Sequence, residues 1–258
     1  MPVAAGLYYF AHQADNATHP PVVLIHGAGG HHLYWPPQVR RLHDQRIFTV
    51  DLPGHGKSTG LGHQTIEDYS GEIIEFLKAL KLNAAILIGH SMGSAISLKA
   101  ALQFPKRVLG LGLVGSGARL QVNSTLLHNA SDPATFAEST RLVTDLSFSP
   151  NANPRLKELA MQRMTETRPS VLYGDFLACD AFDVRNRLST ISVPTLILCG
   201  AEDKMTPVKN SVYLRDNIPG ARMEILPGAG HMLMLEQPDR VAELLADFLN
   251  SIPYRPGK

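Results

Sequence analysis

The sequence predicts an α/β protein, with a mostly parallel central sheet flanked by helices and a helical insertion over one sheet edge. Two observations lead there. Apolar runs at 22–25, 84–88, 108–114 and 194–199 are continuous rather than alternating, as in strands buried on both faces. Segments of helical periodicity separate them, the arrangement of strands joined by crossover helices.

The elements follow in order. At the N-terminus only 7–10 is β-like, so the first strand pair is poorly marked. Val22-Val23-Leu24-Ile25 is a strand ending at His26-Gly27-Ala28-Gly29-Gly30, and Arg46-Ile47-Phe48-Thr49-Val50 is a second, ending at Asp51-Leu52-Pro53-Gly54. Residues 65–82 carry apolar Ile66, Tyr69, Ile73, Phe76, Leu77 and Leu80 at helical spacing, with Thr65 as N-cap and Asp68 three residues on. The strand 84–88 leads through Gly89-His90-Ser91-Met92-Gly93 into a helix that stops before Pro105. Strands at 108–114, 194–199 and 222–226 and a closing helix over 241–249 complete the frame.

Residues 117–193 break the rhythm, since a crossover needs only about a dozen residues. Ser131-Asp132-Pro133 reads as a cap and N1 proline before a helix over 134–146. Asn153-Pro154 repeats the device before 155–167, and further helical turns fall over 169–179. The segment is too rich in Leu, Phe, Met and Tyr for a disordered linker. The expected organisation is therefore a core of 1–117 and 188–258 with a helical cap at 118–187.

The chain has 258 residues, 44% of them hydrophobic, which suits one large domain. Its 24 basic and 23 acidic residues leave a net charge of +1, which gives no electrostatic reason to expect nucleic acid or an anionic membrane as partner. No apolar stretch is long enough to span a bilayer. The start, Met1-Pro2-Val3-Ala4-Ala5-Gly6, shows no basic n-region or long apolar h-region, so a cytoplasmic location is expected. Cys179 and Cys199 have no metal-type spacing, and Cys199 reads as a buried free thiol. Oligomeric state, monomer or dimer, stays open.

Strand, G-x-S-x-G, helix is the arrangement that lifts a serine onto a sharp turn and exposes its Oγ above a parallel sheet. The expression alone is not specific, because Gly56-Lys57-Ser58-Thr59-Gly60 also fits it. That second match follows a loop and opens no apolar helix, so context selects Ser91 as the nucleophile. A serine hydroxyl needs a base to take its proton. Of eleven histidines, His231 follows the loop after the last strand and reaches the same sheet edge as Ser91. His90 is expected to point away from that face. Asp203, after the strand 194–199, is placed to orient the imidazole, with Glu202 as the neighbouring rival turned to solvent. The backbone N–H groups of Met92 and Ala28 are the expected oxyanion donors. His32, Trp35 and Met232 are expected to contact substrate.

Three other expressions carry less. Gly110-Leu111-Gly112-Leu113-Val114-Gly115 lies inside a strand and opens no helix, so it lacks the context of a dinucleotide site. Gly56-Lys57-Ser58 ends like a P-loop, but Asp51 stands where the leading glycine belongs. His26, His31 and His32 suggest a metal, with no nearby carboxylate or cysteine to complete a site.

Taken in order, His26-Gly27-Ala28-Gly29-Gly30, Asp51-Leu52-Pro53-Gly54-His55-Gly56-Lys57-Ser58, Gly89-His90-Ser91-Met92-Gly93, Gly200-Ala201-Glu202-Asp203 and Gly228-Ala229-Gly230-His231 resemble the landmarks of the α/β-hydrolase superfamily. The likeness spans nearly the whole chain outside the insertion. Within that superfamily it is similar to the serine esterase, enol-lactonase and carbon–carbon hydrolase group with a helical cap. The resemblance implies an α/β-hydrolase fold, no cofactor, no metal, and a small-molecule ester substrate cleaved through an acyl-enzyme on Ser91. A carbon–carbon hydrolase or lactonase with the same triad is the sister alternative. A ligand sensor that retains the triad is the alternative of another class.

Overall fold

The structure, a computed structural model, describes residues 2–13, 15–16 and 18–254. Met1 and residues 255–258, at the two ends of the expected core, lie outside the described residues.

Among the described residues eight strands form one sheet: β1 (Val3–Ala4), β2 (Leu7–His12), β3 (Pro21–Ile25), β4 (Arg46–Val50), β5 (Ala85–His90), β6 (Val108–Val114), β7 (Thr195–Gly200) and β8 (Arg222–Leu226). Their spatial order is β1-β2-β4-β3-β5-β6-β7-β8. The first two strands pair antiparallel, as do β2 and β4; every later pairing is parallel. Burial on both faces explains the unbroken apolar runs. Val23, Ile25, Leu87 and Ile197 face one core cluster, while Val22, Leu24, Ile86, Ile88, Leu196 and Leu198 face the other.

Helices cover both faces. On the first lie α2 (Ile66–Ala79) and α3 (Met92–Gln103), whose apolar side chains join the same cluster as Val23 and Ile25. Thr65 caps α2 as its sequence predicts, its Oγ1 accepting the Asp68 N–H at 3.1 Å. On the second lie α1 (Pro37–Arg40) and the long α10 (Pro238–Ser251), which pack together. The closing helix begins three residues earlier than its apolar pattern suggests, because Pro238 fits the first helical position, where no N–H is needed.

Between β6 and β7 the chain runs through four helices: α4 (Ser124–Ser131), α5 (Phe136–Ser147), α6 (Pro154–Thr165) and α7 (Pro169–Asp180). They enclose their own apolar cluster, including Leu126, Phe136, Val143, Met164, Leu172 and Phe176. Asn153 caps α6 as expected, accepting the Arg155 N–H at 2.9 Å. The start of α5 differs. Ser131 ends α4 instead of opening α5, and Asp132 caps only the turn at Ala134, so α5 begins at Phe136. The remaining helices are α8 (Val208–Asn217), after β7, and the single turn α9 (Leu233–Glu236). No helix among the described residues is long and apolar enough to cross a membrane.

Candidate active site

The C-terminal ends of the parallel strands β3, β5, β7 and β8 deliver Ala28, Ser91, Met92, Asp203 and His231. This is the edge where open α/β sheets bind ligands. Ser91 follows β5 and sits at φ 53°, ψ −116°, a conformation that costs a non-glycine residue about 1–3 kcal/mol. Its neighbours show why the turn can be so tight. A Cβ on Gly89 would overlap the Gly93 carbonyl, and one on Gly93 would overlap the Ile25 carbonyl oxygen. Ser94 Oγ donates to the Gly89 carbonyl at 2.6 Å, pinning helix to strand, and the Ser91 N–H donates to Val114 O at 2.9 Å.

Asp203 and His231 meet after β7 and β8. His231 Nδ1 lies 2.8 Å from Asp203 Oδ2, with both residues buried. Gly200 makes the crossing possible, since a Cβ there would overlap the carbonyl oxygens of Ala229 and Gly230. Asp203 Oδ1 accepts the N–H groups of Met205 and Thr206 at 2.8 Å each, and Oδ2 also accepts Thr206 Oγ1 at 2.8 Å. Burial pushes the Asp203 carboxyl up, but His231 and these donors outweigh it and hold its pKa below the usual carboxylate value. With Nδ1–H donated to a carboxylate, Nε2 keeps the ring's lone pair. No hydrogen bond joins Ser91 to His231 among the described residues; such contacts commonly tighten only with substrate in place. Both line one cavity of about 680 Å³, together with Ala28 and Met232.

The loop after β3 is fixed from several sides. His26 donates from Nδ1 to the Gly27 carbonyl at 2.8 Å, while its Nε2 accepts the Leu52 N–H at 3.0 Å. Burial lowers the His26 pKa well below its ordinary value, so the ring stays neutral in that tautomer. Gly29 N–H donates to Asp175 Oδ2 at 2.8 Å, and Gly30 N–H to Gly27 O at 3.0 Å. Ala28 N–H takes no acceptor among the described residues, nor does Gly27 N–H beside it, and Met92 N–H, at the start of α3, takes none either.

His90 lies elsewhere than expected. Instead of pointing away from the site, it lines the cavity, its ring centroid 4.7 Å from that of His231, and its Nε2 donates to the His231 carbonyl at 3.1 Å. Burial and the neighbouring imidazole lower its pKa to about 3. Two expected substrate contacts are also corrected. Trp35 is fully buried in the core beside α10, where a large indole fills space between sheet and helix. His32 is drawn to Asp51, its Nδ1 2.9 Å from Oδ1, and lines no part of the cavity. Met232 does line it.

Asp51 corrects the expectation that no carboxylate stands near the histidines. Its oxygen and the ring nitrogens of His31 and His32 lie within 4.8 Å of one another. The carboxylate already accepts His32 N–H at 2.6 Å, His32 Nδ1 and Lys57 N–H at 2.9 Å, and so braces the loop 51–58. This explains the second G-x-S-x-G match. Gly56, at φ 50°, sits against that carboxylate where a Cβ would overlap it, and Ser58 Oγ donates to Asp51 O at 2.7 Å. The match is a scaffold loop.

Several supporting residues carried no clear signal. Thr206 Oγ1 touches both Asp203 and His231 Nδ1, the latter at 3.2 Å; only the D-x-x-T spacing, a turn pattern, hints at it. Glu236 accepts from Gly230 N at 2.8 Å and Ser149 N at 3.1 Å, joining the His231 loop to the end of α5. Asp175, on α7, accepts Gly29 N, His55 Nε2 at 2.8 Å and Tyr69 OH at 2.5 Å. Burial works against a charged His55, but the Asp175 carboxylate outweighs it and raises its pKa. Cys179 also lines the cavity; burial and nearby Asp175 push its thiol pKa up, and Cys199 is likewise a buried free thiol.

Comparison with known proteins agrees with this fold. The chain is similar to 3-oxoadipate enol-lactonase 1 of Acinetobacter baylyi, 28% identical over 249 residues that cover 92% of this chain and 91% of the relative. Among solved structures it is similar to a thermophilic esterase (TM-score 0.83, 28% identity, covering 95% of this chain and 94% of that one). It is similar also to the enol-lactonase of Burkholderia xenovorans LB400 (TM-score 0.88, 25% identity, 95% and 96%). The sequence profile of the alpha/beta hydrolase family matches residues 22–244, and with the fold and sheet order above it shows that the chain belongs to that family.

Proposed function

We propose that the chain is a serine hydrolase of small to medium carboxylic esters. Ser91 Oγ attacks the ester carbonyl carbon while its proton passes to His231 Nε2. The resulting oxyanion takes the two N–H donors of Met92 and Ala28. Collapse expels the alcohol, which leaves with the proton from His231, and an acyl group remains on Ser91. Water then attacks that acyl group, giving a proton to His231; the acid departs and Ser91 regains its proton. Asp203 holds the imidazole tautomer throughout, and residues 118–187 act as a cap that walls the cavity with apolar side chains.

The observation that carries this reading is Ser91 held at φ 53° on the cavity wall that His231 shares. Ser91→Ala should abolish turnover of a chromogenic short-chain ester while the thermal unfolding midpoint is kept. Undiminished turnover would overturn the reading. A lactone is an internal ester and passes through the same steps. Similarity to enol-lactonases in both sequence and structure favours it as the second reading. Parallel assays on lactones and open-chain esters separate the two.

A further inference from the structure

We infer that the substrate carries a carboxylate at the end remote from the scissile bond, received by Arg119, Lys204 and Lys209. This rests on the ester-hydrolase reading above. Among the described residues, the charged ones lining the catalytic cavity are Arg119, Arg185, Lys204 and Lys209, and no Asp or Glu lines it. The chain as a whole holds 24 basic and 23 acidic residues, so a lining of one sign is not inherited from composition.

Arg185 alone of the four is held in an ion pair, while Arg119, bridged to Asp183 through the backbone, feels the same carboxylate from further off. Arg185 is clamped by Asp183, with Nη2 2.6 Å from Oδ2 and Nε 3.0 Å from Oδ1. Arg119, Lys204 and Lys209 form no ion pair among the described residues. Lys209 is also poorly placed for its own helix. It stands in the first turn of α8, where a cation opposes the helix dipole. A carboxylate bound there would offset that repulsion.

The cavity is two-sided. Leu126, Val143, Met164 and Phe176 form its apolar wall and pack in a cluster that Ala28 of the loop after β3 joins. The cations lie on the segments following β6 and β7, and Asn123 and Asn210 of the same segments also line the cavity. An aliphatic chain ending in a carboxylate fits both halves. Unpaired cations at a cavity mouth also raise the encounter rate of an anionic substrate.

Two ester pairs test this, each differing by one terminal carboxylate. The first is the nitrophenyl monoester of glutaric acid against nitrophenyl valerate. The second is an acetate ester with a carboxylate at the end of its butyl group against butyl acetate. In at least one pair the anionic member should show a kcat/KM about tenfold or more higher. The ratio should fall toward one as salt rises from about 0.01 M to about 1 M, where the screening length shrinks from about 30 Å to about 3 Å. Arg119→Glu with Lys209→Glu should remove the preference, and Lys209→Arg should keep it, with circular dichroism reporting the fold of each. Ser91-dependent turnover of neutral esters with no anionic preference in either pair overturns this inference alone. Absence of Ser91-dependent turnover on every ester overturns the hydrolase reading itself.

Discussion

His231 Nδ1 and Asp203 Oδ2 lie 2.8 Å apart, and that same oxygen accepts the hydroxyl of Thr206. The carboxylate therefore fixes which imidazole nitrogen carries the proton. Asp203→Asn presents an amide that can donate to Nδ1 and favours the opposite tautomer, placing the proton on the nitrogen that should accept it. On the proposed mechanism, kcat for a short-chain ester should fall by roughly 10³- to 10⁴-fold with the unfolding midpoint little changed. Steady-state kinetics beside thermal unfolding check it; a loss below tenfold would show that Asp203 does not set the tautomer.

Thr206 acts through the other two. Its hydroxyl supports Asp203 Oδ2 and approaches His231 Nδ1, while its backbone N–H holds Asp203 Oδ1. Thr206→Val keeps the shape and the backbone donor but removes the hydroxyl. A hydrogen bond to a charged group contributes about 1.5–3 kcal/mol, so kcat should fall roughly tenfold to a hundredfold with KM unchanged. Thr206→Ser should recover most of it. A change confined to KM would contradict this positioning role.

Gly115 faces the ring of His231: a Cβ there would stand 3.0 Å from Nδ1 and 3.1 Å from Cε1, at φ 55°. Gly115→Ala should therefore shift the imidazole as well as strain the backbone, costing about 1–2 kcal/mol of stability and a larger share of kcat. Gly220→Ala is the matched control, since Gly220 has φ 71° and open space around its missing Cβ. It should show a similar stability loss with kcat retained. Equal losses of kcat in both variants would mean that the contact with His231 is irrelevant.

What the sequence reveals and what it hides follow from the range of the forces involved. Strands such as β5 and β6 are legible because burial on both faces demands an unbroken apolar run. Ser91, Asp203 and His231 are legible as sequence positions because each follows a strand whose end lies on one edge. His32 departs from its expected place because a partner 19 residues away, Asp51, sets its direction, and Trp35 because a large indole is buried in the core beneath the loop. His90 departs from its expected direction for a related reason. The turn places its Cα, but the carbonyl of His231, 141 residues away, fixes its ring. α4 leaves no periodic signal in the sequence because it buries only Leu126 and Ala130.

Asp175 provides the pH-dependent test. It reaches from α7 to three elements, taking His55 Nε2, Tyr69 OH and the Gly29 N–H next to Ala28. Burial opposes charge on His55, but Asp175 overrides it, so the folded pKa lies above the ordinary value of about 6.5. A group whose pKa is raised on folding contributes stability that is fully present below its unfolded pKa. That contribution is lost as pH rises through the folded pKa. Across that window the folded state holds one more proton than the unfolded state, and unfolding free energy should decline by up to about 1.4 kcal/mol per pH unit. Asp175→Asn removes the charge that raises His55 and should flatten this part of the profile, while Asp175→Ala, which leaves all three donors unpaired, should cost about 3–5 kcal/mol near neutral pH. Urea unfolding of the three proteins from pH 6 to pH 9 reads both effects, and parallel pH profiles for wild type and Asp175→Asn would show that the His55–Asp175 pair does not carry the linkage.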